Sequence, residues 1–134
     1  GGRDHRAPGL TVARALMLAW SSPASPDQAA EFDAWYESTH IPQIRAAVPS
    51  ITAVSRYQLV DPESPGRSER YLAVYELDTD DIPAAAAALA DSAAAGRMDM
   101  TTAMNVTDNP PAAQWFQEVA GLARRAQARR RTDR

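Results

Sequence analysis

From Val12 to Trp20 the chain is apolar at nearly every position, with Leu16, Leu18 and Trp20 on one side of an extended strand and Ala13, Ala15, Met17 and Ala19 on the other. A strand wet on one face would alternate with polar residues, so this one predicts cover on both faces. Ser21-Ser22-Pro23 ends it, and the period changes to a helical one. Phe32, Tyr36 and His40 recur at i, i+4 and i+8 and share one stripe of a helix that starts near Ser25-Pro26-Asp27. Pro42 restricts Ile41 away from helical dihedrals, which predicts a helix ending at about His40 and a second short helical piece from Pro42 to Val48. Ile51 to Val60 reads as a strand, Asp61 to Gly66 as a turn cluster, and Glu69 to Leu77 as the second strand of a hairpin. Ile82 to Ala95 is an alanine-rich helix closing near Gly96, expected to pack closely on its neighbour. Residues 98–111 read as a loop with three methionines, and Ala112 to Val119 as helix or strand, the order of elements favouring strand.

The order β-α-β-β-α-β is that of a ferredoxin-like α+β sandwich, a four-stranded antiparallel sheet with both helices on one face. Its other face is left bare, and the first strand is apolar there too. A second copy of the same sheet is the simplest cover, so a homodimer is expected. The length of 134 residues fits one domain, placed at residues 12–120, between a polar N-terminal arm (1–11) and an Arg-rich C-terminal tail (121–134).

Composition narrows the chemistry. There is no cysteine and no lysine, which excludes thiol nucleophiles, thiolate metal sites, Schiff bases and a P-loop lysine. Residues 1–120 carry 8 Arg against 16 acidic side chains, and residues 121–134 carry 6 Arg against Asp133. An acidic body argues against nucleic acid as a partner, and the basic tail reads as a solvated end. No apolar run is long enough for a membrane span and the opening is not a signal peptide, so a cytoplasmic protein without membrane association is expected. No Gly-rich phosphate loop or Gly-x-Ser-x-Gly elbow is present, so neither a nucleotide cofactor nor a serine hydrolase is supported. Glu37-Ser-Thr-His40 has a di-metal spacing, but it occurs once where such sites need it twice, so neither metal nor cofactor is expected.

His40 is the candidate proton-transfer group, since a histidine on an apolar stripe can stay neutral and accept a proton at neutral pH. The alternative is a core stripe ending in a histidine that bonds a carbonyl. Tyr36, one turn earlier, is placed to bond a developing oxyanion, or else to pack in the core with its hydroxyl at the edge. Phe32, Trp35, Tyr57 and Trp20 are candidate walls for a flat hydrophobic substrate. Arg56 and Tyr57 alternate, so they point to opposite faces of their strand; an inward Arg56 would clamp a carboxylate, while an outward one, the favoured reading, is a solvated charge. Asn105, Met98, Met100 and Met104 are read as a flexible lid or a loosely packed loop.

Glu31-Phe32-Asp33-Ala-Trp35-Tyr36-Glu37, His40-Ile-Pro42, Val48-Pro49-Ser50-Ile51, Ser55-Arg56-Tyr57, Arg70 to Leu77 and Trp115 to Val119 together resemble the EthD-like branch of the dimeric α+β barrels. The resemblance runs from about residue 13 to 120 and omits 98–111. It implies paired sheets in a dimer and a pocket between helices and sheet into which His40 points. It further implies cofactor-independent chemistry of a cyclase, dehydratase, decarboxylase or isomerase on an aromatic or polyketide-derived substrate. Its alternatives are a cofactor-free or haem-using monooxygenase and a non-catalytic ligand-binding dimer.

Overall fold

The computed structural model describes residues 14–119, with the backbone alone at 65–68. The arm at 1–11, with His5, and the tail at 121–134 lie outside the described residues. Four strands, β1 (Ala15–Ser21), β2 (Ile51–Asp61), β3 (Ser64–Leu77) and β4 (Ala112–Gln117), form one antiparallel sheet in the order β2-β3-β1-β4. This is the order a ferredoxin-like βαββαβ chain produces. β1 pairs Met17 with Tyr75 on one side and with Trp115 on the other.

Alternation divides the sheet into two faces. Ala15 and Met17 of β1 and Ala73, Tyr75 and Leu77 of β3 are buried, packed with Phe32, Tyr36, Ile44 and Ala85 from the helices. The opposite face carries Leu16, Leu18 and Trp20, aligned with Glu76, Val74 and Leu72 of β3. Its outer strands add Tyr57, Leu59 and Phe116, which are 57 %, 58 % and 37 % exposed. Among the described residues no helix packs on that face, and its β1 side chains Leu16, Leu18 and Trp20 are half-buried.

The first helical region departs from expectation at Pro42. A 3₁₀ turn (Pro26–Gln28) leads into α1 (Ala29–Trp35), a π-helical turn (Tyr36–His40) and α2 (Ile41–Ala47), with Ile41 helical at φ −60°, ψ −48°. A proline inside an α-helix has no N–H to donate and crowds the carbonyl four residues back, here that of Ser38. Widening the preceding turn to i→i+5 spacing accommodates the ring without a break. The proline that was expected to end the helix therefore converts its preceding turn, the one containing His40, into a bulge.

The β2–β3 hairpin is tighter than expected, with Asp61 paired to Ser64 across Pro62-Glu63 and the Asp61 carboxylate accepting from the Glu63 N–H at 3.0 Å. α3 (Ile82–Ala94) is capped by Asp81, whose side chain accepts from the Ala84 N–H at 3.1 Å. It ends in a Schellman motif, with Gly96 N–H on the Ala93 carbonyl, Arg97 N–H on the Ser92 carbonyl, and Gly96 at φ +77°. The packing expected of α3 is confined to one face, with Ala85 buried and Leu89 against the core, while Ala84, Ala87, Ala90, Ala93 and Ala94 are exposed. Alanine serves helix propensity there more than contact.

Candidate functional site

A cavity of about 350 Å³ lies between the covered face of the sheet and the helices. β1 contributes Met17, Ala19, Trp20 and Ser21, and β4 with the residue before it contributes Pro111, Ala112 and Ala113. The helices supply Tyr36, His40, Ile44, Leu89 and Ala93, and the loop between α3 and β4 supplies Met98, Met100 and Met104. Of the sequence-selected residues, His40, Tyr36 and Trp20 line this cavity, and so do the three methionines.

The π-turn sets how His40 is presented. On an α-helix two residues five apart are separated by about 140° around the axis. Here the His40 ring stacks on Trp35, five residues back, with centroids 4.4 Å apart and planes at 21°. It also meets the Tyr36 ring edge-on at 4.9 Å and 71°. Trp35 is thus a plate behind His40 and not a cavity wall, and its Nε1–H donates to the Asp99 carbonyl at 3.0 Å. Burial lowers the His40 pKa to about 4, so the imidazole is neutral at pH 7. Its Nδ1 is buried without a hydrogen-bond partner among the described residues.

Tyr36 is 3 % exposed, and burial raises its pKa against the opposing influence of the Tyr75 hydroxyl, the Arg56 charge and the Ser21 hydroxyl. Tyr75, wholly buried behind it, is raised further, by burial first and then by Tyr36. The two hydroxyls perturb each other, although Tyr75 Oη makes no hydrogen bond of ordinary geometry. Ser21, Tyr36 and Tyr75 form a polar cluster that the sequence reading missed. The signal was available in β1, where Ser21 falls on the same side as Met17 and Ala19.

The remaining candidates are placed elsewhere. Arg56 was favoured as an outward, solvated charge. It faces the helices instead, its side chain 13 % exposed, with its guanidinium 4.5 Å from the Tyr36 ring centroid and 5.2 Å from that of Tyr71. Its charge is met by Asp33 at 2.9 Å and Glu37 at 3.6 Å, so it forms no wall of the cavity and no free clamp. Glu37 is consequently committed to Arg56. Phe32 is a fully buried core residue under the same guanidinium at 5.7 Å. Tyr57 stands on the opposite face of the sheet, as its alternation with Arg56 requires. Asn105 does not line the cavity. It organises its own loop, accepting from the Thr107 and Asn109 N–H groups and donating to Asp108.

The methionine loop is tied down. Gln43 donates to the Asp99 carboxylate at 2.9 Å and accepts from the Asp99 N–H at 2.8 Å, so α2 clasps the residue between Met98 and Met100. Beyond it, the Ala24 N–H donates to the Ala103 carbonyl and the Asn105 N–H to that of Ser22. Arg70 holds the approach to β4 through the carbonyls of Asn109 and Pro110 at 3.0 and 3.1 Å.

No family model matches the sequence, and no curated protein does. Among solved structures the chain is similar to an EthD family protein of Bacillus halodurans, at 16% identity and TM-score 0.45, covering 78% of this chain and 99% of that one. It is similar to an EthD-like protein of Ralstonia eutropha, at 17% identity and TM-score 0.42, covering 84% and 99%. A dimeric ferredoxin-like protein of unknown function from Thermobifida fusca matches at 17% identity and TM-score 0.39, covering 85% and 100%.

Proposed function

We propose that the protein is a homodimeric, cofactor-independent enzyme of the cyclase, dehydratase, decarboxylase or isomerase type that moves a proton on a hydrophobic substrate. His40 is the base in this reading and Tyr36 the donor to the substrate oxygen. The observation that carries it is His40 itself, a neutral imidazole on the wall of an apolar cavity with no protein hydrogen bond to occupy it. A histidine serving only the fold would be expected to satisfy a buried partner. With Nδ1 shut away, exchange with a ligand falls to Nε2. A free imidazole with its pKa near 4 is a weak base, and the developing oxyanion beside it would strengthen it as the proton moves.

The dimer in this reading rests on the opposite apolar face, where Tyr57, Leu59 and Phe116 are exposed in the protomer and Leu18 and Leu72 are half-buried. Residues 12–120 are the domain in this reading. Proton transfer is testable before any natural substrate is known. The wild-type dimer should accelerate deuterium exchange at the activated carbon of 2-tetralone in heavy water, and His40→Ala should lose about 10²- to 10⁴-fold of that rate. Equal rates in a folded His40→Ala dimer would remove His40 from the mechanism.

A further inference from the structure

We infer that the cavity selects an uncharged ligand of two fused aromatic rings bearing one hydroxyl or carbonyl oxygen, and rejects the corresponding carboxylate. The inference deepens the proposed function, since it assumes that this cavity is the substrate site. It narrows the reactions considered for the chain by setting aside those whose substrate enters as an acid.

Charge comes first. Among the described residues, those lining the cavity include no Arg, Asp or Glu. Arg56, whose guanidinium lies 4.5 Å from the Tyr36 ring centroid, is matched by Asp33 and Glu37. His40 is neutral above about pH 4 and offers no cation at neutral pH. A carboxylate entering this site would be desolvated with nothing to pair it, whereas a neutral oxygen needs only one hydrogen-bond partner.

Shape and surface come second. All four methionines of the chain, Met17, Met98, Met100 and Met104, line the cavity. Thioethers make favourable contacts with aromatic rings and adjust to irregular outlines. A dry cavity of about 150 Å³ holds benzene, so about 350 Å³ accommodates roughly two fused rings. The polar groups of the wall gather around Tyr36, whose ring touches His40 and whose hydroxyl feels that of Ser21. One polar cluster in an otherwise apolar wall fits a ligand that is polar at one end.

Calorimetric titration of the full chain at about pH 7.5 with 2-naphthol, 2-naphthamide and 2-naphthoate tests this. The two neutral probes should bind within about tenfold of each other, and naphthoate, ionised but close in shape to the amide, about 100-fold more weakly than the amide. A naphthoate affinity within tenfold of the amide overturns the inference, and so does failure of the neutral probes to bind. Met100 is 69 % exposed at the rim, so Met100→Arg adds a cation without burying one. It should raise naphthoate affinity about tenfold; unchanged naphthoate binding beside intact naphthamide binding would overturn the electrostatic cause. Binding is read without turnover. Naphthamide binding with no tetralone exchange would defeat the catalytic reading and leave this one standing, and the converse would do the opposite.

Discussion

On the covered face of the sheet, Tyr36, Tyr75, Arg56 and His40 sit among Phe32, Trp35 and Tyr71, and each titratable group is perturbed, paired or stacked. On the opposite face Tyr57, Leu59 and Phe116 are exposed in the protomer. Both faces are rich in aromatic and aliphatic side chains, yet only one has polar groups held out of water. Apolar surface alone is suited to association, because burial is non-directional. A desolvated imidazole beside a hydroxyl is suited to proton transfer, because low dielectric makes its charge state responsive to a ligand. Arg56 and Tyr57, adjacent in β2, mark the division within two residues.

The most severe way to break this comparison is at His40, where His40→Ala should cost about 10²- to 10⁴-fold in tetralone exchange while sedimentation still shows a dimer. Tyr36→Phe should cost less unless its hydroxyl carries the oxyanion, when the loss reaches about 10²- to 10³-fold. Next is the opposite face. Leu72→Arg places a charge between Trp20 and Tyr57, and should raise the dimer dissociation constant by at least about 100-fold in sedimentation equilibrium. If the wild-type protein is itself a monomer at tens of micromolar, the assembly role of this face is wrong.

A third test uses pH. The folded protein holds His40 neutral down to about pH 4, while the unfolded chain takes up that proton near 6.5. The unfolded state therefore binds more protons between these values, and stability falls as pH is lowered from about 6.5 to about 4. The expected loss is on the order of 3 kcal/mol in denaturant titrations. His40→Leu should flatten that interval, and an unchanged slope in the variant would assign the pH dependence to other groups. The smallest effect is expected at Tyr57→Ser, which should leave tetralone exchange within about twofold of wild type because the side chain lies across the sheet from the cavity.

Much of the site was legible because helical spacing is local: Tyr36 and His40 at i, i+4 could be read as neighbours, and their rings are 4.9 Å apart. Trp35 and His40 could not, since five residues apart they share a face only where the helix widens. The widening follows from Pro42, whose effect was read as a stop. Asn105 and Tyr57 were candidates by residue type, and their geometry gave each another place, one as a loop organiser and the other on the far face.

The element order, the alternation that separates Arg56 from Tyr57, the two-sided apolarity of β1 and the Tyr36–His40 pair are all legible in the order of residues along the chain. These depend on backbone period and on the chemistry of nearby residues. Three features emerge only on folding: Arg56 turns inward to Asp33 and Glu37, Gln43 and Trp35 clasp Asp99 across more than fifty residues of chain, and all four methionines meet around one cavity. Such contacts join segments distant in sequence, and their partners are fixed by how helices, sheet and loop pack together, which no local period encodes.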